Sequence, residues 1–507
     1  MVDELQSSYG SKVVSVDQIV RLIGPISREK KVAMCHGVFD VVHPGHIRHL
    51  AYAKSKADIL LVSITCDRWI TKGPYRPHVP ENLRAYSLAA LDLVDFIIID
   101  KNPNPIENLK SIKPNYFAKG FEYSNNLPRE TLEEMEVVVD FGGEMLFSPG
   151  DVVYSSSKLI DASSPDLGSA KLKTMMEQLN ITFANVEGAI AAISGTKVHV
   201  VGDTIVDSFT RTSLIGGNTK TPTFSVRFES KENYVGGAGI VAQHLKAAGA
   251  DVTFSTILGD DELGRYARDV IESSDINLNA VVEKNRPTTN KNAIICSGYR
   301  LLKIDTLDNA SISREVLSKF QNYITSQNCD CVIFSDFRHG IFNKGTINEL
   351  KQAIPDGSLR VADSQLASRW GNITEFVGFD LITPNEREAR FALADQDCNI
   401  VQLCHMIQEK THSSNVILKL GAKGLFFLGK DVYHSLDSFT QVAVDPVGSG
   451  DALLAYSSLV MRRTGSLALA CIIGSLAAAC ECELDGNIPV SPETILKKLD
   501  NIKRQVF

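Results

Sequence analysis

Short apolar runs that close on Gly, Asp or Asn recur in two blocks along this chain, separated each time by helical stretches. That alternation restricts the fold more than any other feature. In the first block "KVAMCHGVFD" reads as a strand and loop, "HIRHLAYAKSKA" as a helix, "DILLVSIT" as a buried strand, "NLRAYSLAALDLV" as a helix and "DFIIID" as another strand. The second block opens near Lys197 with "KVHVVGD" and continues through "DVTFSTILG", "CDCVIFSD", "SLRVAD", "DLITPN" and "SNVILKLG". Continuously apolar strands alternating with helices predict parallel sheets covered on both faces. With 507 residues the chain exceeds what one core organises, so the blocks read as two α/β domains. Between them "DASSPDLGSA" carries a linker signal, and Leu172, Met175, Met176 and Leu179 follow at helical spacing. The expected division is 1–160, a linker with a connecting helix at 161–194, and 195–507.

Composition narrows the partners. A formal net charge of −8 argues against a general nucleic-acid binder, which needs basic surface, and leaves room for small phosphorylated substrates. Ten cysteines without a C-x-x-C pair read as reduced thiols of a cytoplasmic protein. The opening MVDELQSSYG is acidic and polar, unlike a signal peptide. Ser466 to Cys482 is apolar but interrupted by Gly474 and Glu481, so it is expected as a buried helix and no membrane partner is expected.

Two short stretches carry chemistry. In "GVFDVVHPGH" the histidines His43 and His46 bracket Pro44-Gly45 between a strand end and a helix start. An open α/β sheet binds ligands at the carboxyl ends of its strands, and a helix N-terminus favours phosphate. Imidazole N–H groups there can meet charge developing on phosphate oxygens. Surface histidines flanking a turn, or a zinc site still short of ligands, are other readings of the same residues. Asp40 reads equally as a cap or as an indirect metal contact. In "DPVGSGD" the glycines let backbone N–H groups converge on an anion, and Asp451 stands at the start of the helix "ALLAYSSLVMRR", where it can face a substrate hydroxyl. A Gly-rich turn with an Asp cap is the alternative.

The order of motifs adds a resemblance. "GVFDVVHPGH", "TKGPYRPHVPENLRAYSLAALDLVD", "FAKGFEY" and "YSSSKLI" resemble, in that order, the nucleotidyltransferases with the H-x-G-H signature. The resemblance implies a Rossmann-like fold in which Gly37, Val38 and Phe39 lie along the nucleotide. It implies that His43 and His46 stabilise the transition state and that Lys72 and Lys119 bring charge to the phosphates. Arg84 would orient a phosphate or the nucleotide, and Ser155, Ser156 and Ser157 would hold phosphate oxygens. His36 stands where sugar-phosphate members often carry Asn, beside the nucleotide.

From about residue 195 onward, "VVGDTIVD", "YVGGAGIVAQHLKAAGADVTFSTILGDDELG", "TPNEREA", "LKLGAKG" and "DPVGSGD" resemble the ribokinase-like carbohydrate kinases, an α/β fold with a small β lid. That implies Asp451 as base, Gly448, Ser449 and Gly450 as anion hole, and Asn385 and Glu388 near Mg²⁺. Lys419, Gly421 and Gly424 would shape the ATP site, and Asp207, Gly236 and Gly237 would line the sugar site. Lys303 in "YRLLKID" is either a sugar-phosphate contact or a half-exposed strand lysine.

Together the halves resemble the bifunctional ADP-heptose synthase family, with the order reversed and the transferase first. The resemblance implies phosphorylation of a heptose 7-phosphate at C1 by ATP, removal of the other phosphate by a separate phosphatase, and transfer of AMP to the sugar 1-phosphate with release of pyrophosphate. A homodimer through the kinase domain is expected. A cytidylyltransferase-kinase making a CDP-polyol or another NDP-sugar is the alternative, and a non-catalytic sensor with degenerate folds the contrasting class. The segment "SLIGGNTKTPTFSVRFESKENYVGG" lacks the acidic Pro-rich pattern often found in the synthases.

Overall fold

The computed structural model describes residues 10–25, 27–70, 76–120, 129–148, 168–218, 223–367, 369–430, 432–441, 443–484 and 486–506. It divides into two units, Met1–Leu167 with Asp397–Gln402, and Gly168–Gln396 with Leu403–Phe507.

In the first unit the strands β1 (Val32–Gly37), β2 (Ile59–Thr65), β3 (Phe96–Asp100), β4 (Tyr116–Lys119) and β5 (Glu144–Phe147) form one sheet in the order β3-β2-β1-β4-β5. All four pairings are parallel. Val32, Ala33, Met34 and Cys35 of β1 are fully buried because helices cover both faces, which is why the strand is apolar at successive positions rather than alternate ones. The chain winds from β1 to β2 and β3 on one side, then places β4 on the other side of β1. The strand order therefore reverses at β1, and the crevice beyond its carboxyl end is where such a sheet binds ligands.

The second unit holds nine strands of one sheet: β6 (Lys197–Gly202), β9 (Asp251–Gly259), β10 (Asn277–Glu283), β13 (Cys331–Asp336), β14 (Leu359–Ser364), β15 (Leu381–Ile382), β16 (Asn415–Lys419), β17 (Leu425–Leu428) and β18 (Tyr433–Leu436). Their order is β10-β9-β6-β13-β14-β15-β16-β17-β18, so the reversal lies at β6. A separate four-stranded sheet, ordered β12-β11-β7-β8, is built from β7 (Thr204–Asn218), β8 (Thr223–Gly237), β11 (Asn290–Cys296) and β12 (Tyr299–Thr306). This is the small β lid that the resemblance to the ribokinase-like kinases implies.

The linker region departs from expectation. In place of one connecting helix there are two, Gly168–Gln178 and Phe183–Ala192. Leu172, Met175, Met176, Phe183, Val186 and Ile190 enter the same core as Val200, Leu454 and Ile473. These helices are structural members of the second unit, and residues 161–167 lie outside the described residues. The apolar helix Leu467–Cys482 is buried on nearly every side, as its composition predicts, and no helix among the described residues is long and apolar enough to cross a membrane.

Candidate active sites

In the first unit, β1 ends at Gly37 and the loop returns through His43, which caps the helix Pro44–Lys54. The His43 Nδ1 accepts the Gly45 N–H at 3.1 Å. Burial pushes this imidazole below its ordinary value, so the ring is neutral at pH 7. A neutral ring with Nδ1 as acceptor carries its proton on Nε2, which makes Nε2–H the donor offered to a ligand. The His46 ring stacks on His43 with centroids 3.9 Å apart, and Phe39 packs against His46 at 5.0 Å. Phe39 adopts φ 50°, and its ring lies 3.2 Å from where a side chain at Gly37 would begin. Gly37 and Phe39 thus build the turn that brings the two histidines together at the switch point.

Other expected residues have different occupations. Arg84 is fully buried and donates to Val79 O at 2.9 Å, to Thr65 O at 2.8 Å, to Asp67 Oδ1 at 2.7 Å and to Val38 O. Four of the five guanidinium donors are spent on the protein, so Arg84 braces the loop behind the histidines and does not reach for a phosphate. Asp40 accepts Val79 N–H at 2.9 Å and pairs with Arg76 at 3.2 Å, which ties the histidine loop to the segment before the helix Glu81–Ala89. Lys119 is ion-paired with Glu134 and donates to Thr131 Oγ1 at 3.3 Å, so it offers charge to a phosphate only if that pair opens. His36 bonds Ser63 through Nδ1 at 2.9 Å and Thr65 through Nε2 at 3.2 Å. Burial and then the Lys119 charge push it down to about 3, making it a neutral tie between β1 and β2. Lys72, Ser155, Ser156 and Ser157 lie outside the described residues.

In the second unit the functional residues come from successive strand ends. Asp363 is the penultimate residue of β14, Asn385 follows β15 and Lys419 closes β16. Lys419 Nζ donates to Asp363 Oδ1 at 2.8 Å, and Thr383 Oγ1 donates to the same oxygen at 2.7 Å. The lysine ammonium lies 3.5 Å from where a side chain at Gly450 would begin, so it reaches the glycine turn ahead of the helix Ser449–Thr464. Gly448 has φ 89°, a conformation that favours glycine. Ser449 Oγ donates to Pro446 O at 2.8 Å, which turns that hydroxyl into the loop and leaves the backbone N–H groups as the anion donors. Asp451 is buried in the first turn of the helix. Burial, with Asp363 and then Asp207 and Glu481 as like charges against Lys419, pushes its carboxyl up to about 8.

Asn385 and Glu388 form a reciprocal helix cap: Asn385 Oδ1 accepts Glu388 N–H at 2.8 Å and Glu388 Oε2 accepts Asn385 N–H at 2.7 Å. Burial pushes Glu388 up to about 7, with Lys419 drawing it down and Asp363 raising it. The described residues contain no group of three His, Cys, Asp or Glu that could hold a metal ion. A hard cation fits here only as one that keeps its waters and phosphate oxygens as principal ligands, with Glu388 and Asp363 beside it. Gly421 and Gly424 have φ 60° and 87°, and a side chain at Gly424 would strike Leu436 O at 2.0 Å, so these glycines shape the turn from β16 to β17.

The lid faces this site. Its register puts Asp207, Lys291 and Asp305 in one row and Phe209, Ala293 and Lys303 in the next row on the same face. Asp207 is raised chiefly by burial, with Lys291 and Lys303 opposing. Lys291 is lowered by burial and then by Lys303, while Asp207, Asp305 and Asp451 pull the other way. Arg300 stands 5.8 Å from the Phe209 ring and 3.7 Å from Asp445 of the glycine motif. A side chain at Gly236 would meet Asp207 Oδ2 at 2.2 Å, and Gly237 turns with φ 61° against Asp203 O. Lys291, Arg300 and Asp363 were not singled out in the sequence. The run of strand ends in Asp or Asn points to Asp363, but nothing local marks that Lys291 of "TTNKNAIICSGYRLLKID" shares an inward face with Lys303.

The cytidylyltransferase-like family model matches residues 34–162, and the pfkB family carbohydrate kinase model matches residues 195–494. The bifunctional protein HldE of Campylobacter fetus is 25% identical over 289 residues, covering 56% of this chain and 62% of that protein. The HldE of Helicobacter pylori strain J99 is 27% identical over 309 residues, covering 59% and 65%. The matches thus span less than two thirds of the length of these relatives. Among solved structures, phosphofructokinase-2 from Escherichia coli in complex with potassium superposes with a TM-score of 0.53 at 15% identity, over 61% of this chain and all of that one. The same enzyme in complex with substrates and products gives 0.53 at 15%. These structural likenesses concern the fold. The kinase model spans more than half of the sequence, and on that match the chain belongs to the pfkB family of carbohydrate kinases.

Proposed function

We propose that the chain is a bifunctional enzyme of nucleotide-sugar synthesis, a carbohydrate kinase in the second unit and a sugar-phosphate nucleotidyltransferase in the first. In the kinase, Asp451 takes the proton of the sugar hydroxyl, whose oxygen attacks the γ-phosphorus of ATP while the bond to the bridging oxygen of ADP breaks. The backbone N–H groups of Gly448, Ser449 and Gly450 and the Lys419 ammonium receive the charge on the transferred group. Mg²⁺, arriving with ATP, supplies charge neutralisation of the phosphates, and Glu388 and Asn385 are the residues of the expected set beside it. In the transferase, a sugar 1-phosphate oxygen attacks the α-phosphorus of the nucleotide and pyrophosphate leaves. The Nε2–H of His43, with His46 stacked on it, stabilises the charge that develops.

The observation that carries the reading is Asp451, a buried carboxyl held near neutrality at a helix start, flanked by the Lys419 ammonium and the glycine turn. The lid cations Lys291, Lys303 and Arg300 favour a sugar that already bears a phosphate, and with the likeness to HldE this supports heptose 7-phosphate phosphorylated at C1. AMP from ATP is the nucleotidyl group of the same reading, with the transferase preceding the kinase and an external phosphatase acting between the steps. A CDP-polyol or another NDP-sugar is the second reading, supported by the cytidylyltransferase-like match. Exposed Leu214, Phe228 and Leu302 on the lid support pairing of two chains through the kinase. We place the enzyme in the cytoplasm on its ten unpaired cysteines.

The test is a set of single variants in the full chain. ADP formation is measured with heptose 7-phosphate, and pyrophosphate release with heptose 1-phosphate and each of four NTPs. Asp451→Asn should abolish the first and leave the second near normal, and His46→Ala should do the reverse. Loss of both activities in a folded single variant refutes two independent sites.

A further inference from the structure

The loop after the helix Leu467–Cys482 carries a residue that touches both ends of the kinase chemistry. Asn487 Nδ2 donates to Asp207 Oδ2 at 3.3 Å. The same nitrogen lies 3.2 Å from where a side chain at Gly236 would begin, so it sits on the sugar-facing side of the lid hinge. Its Oδ1 lies 3.1 Å from the equivalent point on Gly448, the first glycine of the anion hole. One short amide therefore spans from the carboxylate of the sugar site to the backbone that receives the phosphoryl group. The loop is held in place from beneath: Val444 and Asp445 N–H groups both donate to Cys482 O, at 2.8 and 3.2 Å, which laces the glycine motif to the helix end that leads into the loop.

The chemistry of the contact is directional. An amide N–H donated to a carboxylate favours its ionised form, and Asn487 acts on Asp207 in that sense, with Lys291 and Lys303, against burial. An ionised Asp207 accepts hydrogen bonds donated by sugar hydroxyls, whereas a protonated one loses an acceptor. The amide cannot turn over without facing its oxygen to the Asp207 carboxylate, so the bond to Asp207 also fixes Oδ1 against Gly448. Glu481 Oε1 lies 2.9 Å from the same point on Gly448, so two side-chain oxygens crowd the position that only a glycine leaves open.

Resting on the kinase reading above, we infer that Asn487 is a positioning residue that keeps Asp207 ionised and aligned, and that couples occupancy of the sugar site to the geometry of the anion hole at Gly448. The full chain with Asn487→Ala and Asn487→Asp tests this. With MgATP saturating and heptose 7-phosphate varied, Asn487→Ala should raise the sugar KM about tenfold or more, with a smaller fall in kcat. The pH below which the sugar KM rises should move upward, because Asp207 has lost a donor that favours its charge, while the limb of kcat that Asp451 sets should stay in place. Asn487→Asp, which sets a second carboxylate against Asp207, should be worse in both respects. A purely structural residue would move neither the pH dependence of the sugar KM nor the ratio of the two effects.

A measurement without sugar keeps the two readings apart. Losing the donor raises the folded-state pKa of Asp207 further above its unfolded value. Folding stability that depends on this group is lost as pH rises through the folded pKa, so the melting temperature of Asn487→Ala should fall further below the unmutated chain at about pH 8 than at about pH 5. An equal difference at both pH values, or a sugar KM unmoved in size and pH dependence in a folded Asn487→Ala, overturns the inference. If the unmutated chain fails to phosphorylate heptose 7-phosphate, the substrate reading falls, and the melting comparison alone decides whether Asn487 holds Asp207.

Discussion

Lys419→Met removes one charge from the kinase site while keeping the length of the side chain, and its consequences can be followed residue by residue. Asp363 loses its counter-ion at 2.8 Å and keeps only the Thr383 hydroxyl at 2.7 Å. Asp451 stands at about 8 through burial and Asp363, with Lys419 as the opposing charge, so deletion of the lysine drives it higher. A unit charge about 6 Å away at an effective dielectric of ~20–40 is worth about 1.4–2.8 kcal/mol, or roughly one to two pKa units. With a carboxyl at about 8, roughly a tenth is ionised at pH 7 and able to act as base; one unit more leaves about a hundredth. The expected result is at least a tenfold fall in kcat/KM for ADP formation at pH 7, part of it regained as pH rises, because the acid limb has moved from about 8 to ~9 or beyond. Lys419→Arg should hold the limb near its original place. If Lys419→Met lowers the rate by the same factor at every pH, the lysine serves the phosphate alone and the coupling to Asp451 is wrong.

Two further expectations concern what holds each unit together. Arg84→Met strands Val38, Val79 and Thr65 carbonyls and the Asp67 carboxylate in the interior, so denaturant unfolding of the first unit should lose about 3–5 kcal/mol, while nucleotide KM measured well below the melting point stays unchanged. A selective rise in KM without loss of stability would restore a phosphate role for this arginine. A chain starting at residue 190 discards Leu172, Met175, Met176, Phe183 and Val186 from the core of the second unit. At about 1.5–3 kcal/mol per buried side chain this approaches the whole stability of a domain, so 190–507 should be insoluble or molten whereas 168–507 folds and phosphorylates. Cooperative melting of the shorter fragment would contradict the packing described.

Much of the architecture was legible because period and punctuation are local. The apolar strands, the helix after His43-Pro44-Gly45 and the buried helix before Glu483 all follow from residues within a dozen positions of one another. The two histidines and the G-S-G-D turn were equally readable, since each is a contiguous motif whose backbone geometry its own glycines dictate. The occupations of single charged residues were not readable. Arg84 is a good phosphate ligand by type, and only the convergence of three carbonyls from separate segments turns it inward. Lys119 lies in a recognisable Lys-Gly motif, yet Glu134 on a later helix takes its charge. Lys291 differs from its neighbours only by the face it occupies on β11, a matter of register against β7 and β12. Asn487 sits in a loop with no motif at all and meets Asp207 across 280 positions of sequence. Sequence by itself determined which segments become strands, helices and phosphate-binding turns, because those depend on local backbone preference and hydrophobic period. Tertiary structure alone decided which charges remain available to substrates, because a side chain's partners are set by the segments that the sheet brings beside it.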